Sequence, residues 1–352
     1  FTKKNEITNE FIVVANKKDK EGLIKIGNER VVRARLDDAN FFWNKDKSQN
    51  LVKKVSELKK MNFFKGLGTY FDKVQRMRKL AAIISDELLI SKEKVELSAT
   101  ICKTDLISEI VGEFPELQGI MGGHLSSAQG FDKEISNAIK EQYMPSGLNS
   151  NVSKKPYSIT LSLADRVDTL VGFFGINEKP SSSKDPYALR RVALGIVKII
   201  VENKKDVKIN DIISYSSNFF LNQNFKFYNE KLPRDISNFL KDRFRYYCKD
   251  KNLRHDIIEA ATKSLDLNKI STTYEKAKSL NKVINKPIGE DIVSSYKRAS
   301  NIINSEIKNI DEDLSNSTDS SIFKNDFERA LFDKTSQLKQ YFAVTTNKQN
   351  FD

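Results

Sequence analysis

Cysteine is nearly absent. Cys102 and Cys248 are the only two in 352 residues, so no disulfide framework staples the chain, and the usage fits a reducing compartment. Histidine is equally scarce. His124 and His255 lie far apart with no Cys or His at ligand spacing, which argues against a zinc site. Long apolar runs are missing too. Val192–Val201, among the longest, is interrupted by Lys198, whereas a membrane span needs roughly 18 apolar residues. There is no Walker A sequence, no dinucleotide fingerprint and no Gly-x-Ser-x-Gly elbow. No signal peptide and no internal repeat is visible.

What is abundant is charge. Lys plus Arg number 59 against 47 Asp plus Glu, giving +12 and a pI near 9.3. Only 14 of the cations are arginine, a lysine bias that fits drift in base composition. A basic chain suggests an acidic partner, nucleic acid first and membrane surface second. With 39% hydrophobic and 30% charged residues it is globular, and its length allows two or three domains. It begins at Phe1 rather than Met and stops at Asp352 without an obvious terminus, so a piece of a longer protein is expected.

The spacing predicts a mainly α fold after a short α/β opening. Phe11–Ala15 is β-branched and apolar and reads as a strand, paired through a turn at Lys3–Glu6. Helical spacing then starts at Asn28, the expected N-cap, and runs to Trp43. Helices are expected at about Thr69–Ser85, Lys94–Val111, Phe131–Gln142, Ser158–Gly172 and Tyr187–Glu202, the last capped by Asp185 with Pro186 in its first turn. Between them, Gly112–Gly123 holds a proline and four glycines and reads as a loop or short helix burying Phe114, Leu117 and Met121. Further helices are expected at Asp235–Lys249, Ile292–Ile307 and Asn325–Phe342, with a polar loop at Asp311–Ser321.

Two motifs invite chemistry. Glu113 and Glu116 are spaced as a general acid/base pair, although capping and solvation explain them as well. Arg254-His255-Asp256 contains a His-Asp dipeptide, but it equally marks an exposed helix start. A third motif invites binding: Asp235–Lys249 alternates Phe239, Lys241, Arg243, Phe244, Arg245, Tyr246 and Tyr247. Cations suit phosphate and rings suit stacking on bases; an amphipathic helix with its rings inward is compatible with that.

Several blocks in one order then resemble a known family. They are Gly27-Asn-Glu-Arg-Val-Val-Arg-Ala-Arg-Leu-Asp-Asp-Ala-Asn-Phe-Phe-Trp43, Gly66-Leu-Gly-Thr-Tyr-Phe-Asp-Lys73, Lys103-Thr-Asp-Leu106 running into Gly112–Gly122, and Leu163-Ala-Asp-Arg166 onward to Gly175. Lys179-Pro-Ser-Ser-Ser-Lys-Asp-Pro-Tyr-Ala-Leu-Arg-Arg191, the most specific, is followed by Arg243-Phe-Arg-Tyr-Tyr247 and Tyr296-Lys-Arg298. Together they resemble the β subunit of bacterial heterotetrameric glycyl-tRNA synthetase. The resemblance implies that residues 1–48 end an α/β region, residues 49–221 form a helical HD-like domain, and residues 222–352 form a helical body and part of an anticodon-binding domain. It implies a cytoplasmic protein that binds glycine tRNA and an α subunit in an α2β2 assembly, with no membrane. It implies no catalytic residue, metal or cofactor of its own; ATP and Mg would act through the α subunit.

The resemblance also implies sites. Lys241, Arg243, Arg245, Lys297, Arg298, Arg190 and Arg191 would contact tRNA, with structural pairing the competing role for Arg190 and Arg191. An active HD hydrolase holds metal through His, His-Asp and Asp. Here Lys73, Thr104-Asp105 and Asp165 stand at those positions. Two of the four ligands are thus replaced, and Lys73 is expected to pair with Asp105 or Asp165 in a scaffold without hydrolase activity. The alternative is an HD-type metal-dependent nucleotide phosphohydrolase.

Overall fold

The structure is a computed structural model that describes residues 2–3, 6–284, 286–307 and 323–347. Two short hairpins are its strands: β1 (Thr2–Lys3) with β2 (Glu6–Ile7), and β3 (Asn62–Phe64) with β4 (Gly68–Thr69), both antiparallel. The rest of its regular structure is helical, so the fold is mainly α.

The helices are α1 (Leu23–Lys47), α2 (Leu51–Lys54), α3 (Tyr70–Leu88), α4 (Lys92–Ile101), α5 (Glu109–Glu113), α6 (Ile120–Ala128), α7 (Lys133–Glu141) and α8 (Pro156–Gly175). They continue as α9 (Leu189–Asn203), α10 (Ile209–Asn222), α11 (Leu232–Asp250), α12 (His255–Lys263), α13 (Ile270–Ile284), α14 (Pro287–Ile307) and α15 (Asp326–Asn347). None is long and apolar enough to cross a membrane.

The chain divides into two compact units. Unit 1 is Phe1–Tyr143 with Lys155–Asp165; unit 2 is Met144–Lys154 with Arg166–Asp352. In unit 1, α3 buries Val74, Met77, Leu80, Ala81 and Ile84; of the face its 3.6-residue spacing predicts, Phe71 to Ile84, only Phe71 in the first turn stays half-buried. That face packs mainly on α4. In unit 2, α9 packs on α11 and α13, burying Ile196, Ile200, Leu240, Phe244, Tyr247 and Ile270. Buried Lys198 donates to the carbonyls of Gly147, Leu148 and Ser150, so its charge meets backbone dipoles in place of water.

Four expected elements are corrected. Phe11–Ala15 forms no strand; the ladder joins residues 2–3 to 6–7, and no described strand lies alongside 11–15. Helix α1 starts at Leu23, before Asn28, because the Asp19 carboxylate accepts the amides of Ile24 and Lys25 at 3.2 and 2.9 Å. That supplies the N-terminal partners ahead of Asn28.

Lys94–Val111 is not one helix. Asp46 accepts the amides of Glu109 and Ile110, and Ser108 Oγ accepts that of Val111, so the chain restarts as α5. Thr104–Ile107 is a 3-10 turn between the two pieces. Helix α9 begins at Leu189, two residues later than expected. Asp185 is the expected cap, accepting the amides of Leu189 and Arg190 at 2.8 and 3.0 Å, but Pro186 lies before the helix. The expected loop at Asp311–Ser321 lies outside the described residues.

Candidate functional site

Unit 1 holds a buried charge cluster. Thr69 and Asp72 form a reciprocal capping box at the start of α3, which places Lys73 in the first turn. Its side chain is 2% exposed and its Nζ lies 3.0 Å from Asp165 Oδ1. Lys103 follows the end of α4, is equally buried, and places its Nζ 3.2 Å from Asp165 Oδ2. One carboxylate therefore lies between two ammonium groups.

The surroundings extend the cluster. Lys103 Nζ donates to the Tyr143 hydroxyl at 2.8 Å, and Gln118 Nε2 donates to the same oxygen. The Phe63 ring lies 4.5 Å from Lys73 Nζ. Burial is the largest influence on Lys103 and pulls its pKa down, but the charge and hydrogen bond of Asp165 together with Cys102 and Tyr70 outweigh it, and the net shift is upward. Burial also pushes the Tyr143 hydroxyl well up and the Cys102 thiol up to about 12, so Cys102 is an inert core group.

Thr104 and Asp105 serve other ends. Thr104 Oγ1 donates to Ile101 O at 2.7 Å. Asp105 Oδ2 accepts Gly119 N–H at 2.5 Å at the start of α6, while its Oδ1 has no hydrogen-bond partner among the described residues. Burial raises the Asp105 pKa, against the backbone amides of Gly119 and Gly122. The close approach depends on glycine. Gly119 has φ +81° with the Tyr143 ring 2.8 Å from where a Cβ would sit, and a Cβ on Gly122 would lie 2.9 Å from Asp105 Oδ2. Gly119, Gly122 and Gly123 are thus the buried residues of Gly112–Gly123, whereas Phe114, Leu117 and Met121 are only half-buried.

These residues do not fit a divalent metal. Of the four positions, Lys73 and Asp165 meet, Thr104 caps a helix end, and two ammonium groups engage the Asp165 oxygens. No group of three or more His, Cys, Asp or Glu of the kind that holds a metal occurs among the described residues. Lys103 was not singled out in the sequence. Its signal was there: it is the only Lys or Arg between Lys94 and Lys133.

Unit 2 holds the cations expected to meet nucleic acid. Arg243, on α11, lies 5.6 Å from the Phe239 ring and 5.9 Å from the Tyr246 ring. Its Nε is buried with no hydrogen-bond partner, and neither it nor half-buried Lys241 has a carboxylate partner among the described residues. Arg245 is engaged differently, with Glu259 of α12 at 3.1 and 3.3 Å and Asp242 at 2.8 Å. It ties α11 to α12. Arg190 donates to the carbonyls of Ser181 and Ser182 and so closes a loop rather than pairing with an acid. Arg191, Lys297 and Arg298 are exposed.

The remaining motifs are structural. Glu113 pairs with Arg35, which also lies over the Phe114 ring. Asp256 pairs with Arg254 at 2.6 Å and accepts the amide of Ile257, as an exposed helix start would.

Comparison with known proteins follows the same lines. A family described as glycyl-tRNA synthetase beta subunit matches residues 1–263. The glycine–tRNA ligase beta subunit of Rickettsia felis is 35% identical over 357 residues, covering 100% of this chain and 50% of the relative. That of Rhodospirillum centenum is 35% identical over 312 residues, covering 87% and 43%. That of Ruegeria sp. is 32% identical over 361 residues, covering 100% and 51%. The chain spans about half the length of the curated relatives it matches.

Proposed function

The chain belongs to the glycyl-tRNA synthetase beta-subunit family, and from that premise we propose that it is a tRNA-binding part of a glycine–tRNA ligase. In this reading it assembles with a catalytic α subunit, as α2β2, and works in the cytoplasm. Its own residues bind and orient glycine tRNA. Glycine activation with ATP and Mg takes place on the α subunit, and this chain binds neither.

One observation carries the reading beyond family membership. On α11, Arg243 is held between two rings and Lys241 lies nearby, both without a carboxylate partner among the described residues. Cations left without counter-charges and set among aromatics suit phosphates and unpaired bases. Arg245, bound to two carboxylates, is a brace for that helix. Arg191, Lys297 and Arg298 extend the contact set as exposed cations.

The test is binding of glycine tRNA across a salt series. Lys241→Ala/Arg243→Ala is expected to flatten log K against log salt by about two units, one per lost phosphate contact. Arg245→Ala is expected to act mainly on stability. An unchanged slope in the double variant would remove α11 from the contact set.

The phosphohydrolase alternative requires metal where two lysines hold Asp165. Tightly bound divalent metal, or phosphohydrolase turnover lost on Asp105→Ala, would reinstate it.

A further inference from the structure

We propose that the β3–β4 hairpin of unit 1 is a second RNA-contact surface, held in place by the buried Lys73–Asp165–Lys103 triad. The inference rests on the tRNA-binding reading but concerns unit 1, whereas α11 belongs to unit 2.

Lys59, Lys60 and Lys65 are exposed within a 3-10 turn (Val55–Lys60) and the hairpin that follows it. None has a carboxylate partner among the described residues. The nearby acids do not cancel them: Asp72 is used in the capping box of α3, leaving Glu57.

Rings are interleaved with these cations. Phe63, Phe64, Tyr70 and Phe71 are all half-buried. Phe63 and Tyr70 meet edge to face at 5.4 Å, and Lys59 Nζ lies 4.8 Å from the Phe71 ring. Gly66 and Gly68, at φ 86° and 80°, give the tight turn a backbone that other residues resist.

The inner side of the hairpin rests on the buried cluster through Phe63, 4.5 Å from Lys73 Nζ. A cation under a ring is an attractive contact, so the Lys73 ammonium, itself fixed by Asp165, positions a basic, aromatic surface. Half-buried rings packed edge to face form no apolar wedge for a lipid bilayer. With free lysines among them they suit phosphates and stacked, unpaired bases.

The test uses the chain, labelled glycine tRNA and a single-stranded RNA ten-mer, with binding followed by anisotropy across a salt series. Lys59→Ala/Lys60→Ala/Lys65→Ala is expected to lower the salt slope by about three units with an unchanged melting curve. Phe63→Leu keeps the charge and is expected to reduce photocrosslinking of RNA to the hairpin while leaving crosslinks to α11 intact. Retained affinity, slope and crosslinks in both variants, with Lys241→Ala/Arg243→Ala still impaired, would overturn the hairpin's role and leave the tRNA reading standing. Absence of tRNA binding by the wild-type chain would overturn both. Lysine-dependent binding to vesicles containing phosphatidylserine, without RNA binding at the hairpin, would overturn it in favour of a membrane face.

Discussion

Asp165→Ala is expected to destabilise unit 1 by about 3–5 kcal/mol, the range for removing one partner of a buried ion pair. The reason lies in what is left behind. Lys73 and Lys103 are each 2% exposed and both engage this one carboxylate at 3.0 and 3.2 Å. Without it, two ammonium groups share a dry site with no counter-charge between them. Denaturant unfolding monitored in unit 1 measures the loss.

The effect carries a pH signature. The folded pKa of Lys103 is raised above its ordinary 10.5. Its contribution is therefore fully present below pH 10.5 and lost as pH rises through the folded value. Wild-type stability from this pair is expected to be constant near neutrality and to fall as pH rises through the raised folded value, whereas in Asp165→Ala the unpaired buried lysines titrate lower, so the gap narrows as they lose their protons. A loss below 1 kcal/mol at neutral pH would mean that water or other groups compensate the lysines.

Gly123→Ala is the second large effect. A Cβ there would lie 2.5 Å from Lys140 Cβ and 2.8 Å from Ser136 O, so α6 and α7 must separate. Overpacking of this kind costs about 1–3 kcal/mol, set against a helix-propensity gain of about 1 kcal/mol for replacing glycine by alanine. The contact is with a Cβ and a backbone carbonyl, which cannot swing away, so the cost is expected to reach the upper end and leave a net loss. Gly112→Ala is the control: in α5, with nothing within 4 Å of its Cβ position, it is expected to be neutral or stabilising. Thermal melts of the two variants separate a packing glycine from a merely tolerated one.

Long amphipathic helices were legible in the sequence because burial follows their periodicity. Helix α3 buries its expected face from Val74 to Ile84, with Phe71 half-buried, and Thr69 caps it by local geometry. Boundaries fixed from a distance were not legible. Asp46 caps α5 across more than sixty residues, and nothing local announces that Lys94–Val111 must break. The same limit explains the site. Lys73 and Asp165 stood at positions the family resemblance marked, so their pairing was open to expectation. Lys103 stood in the sequence as an isolated cation between Lys94 and Lys133, but its partner shows only in the fold, where the chain after α4 turns it inward onto the same carboxylate. The α11 cations likewise looked alike in sequence; the fold separates Arg245, bound to Glu259, from Arg243, held between rings.

As proposed, this chain contributes tRNA binding to a ligase whose chemistry lies on another subunit. Glycylation of glycine tRNA by purified α subunit, with and without the β subunit carrying this segment, tests it most directly. The expected result is charging only when both are present, impaired by Lys241→Ala/Arg243→Ala through KM for tRNA with kcat little changed. Equal charging by the α subunit alone would contradict the account.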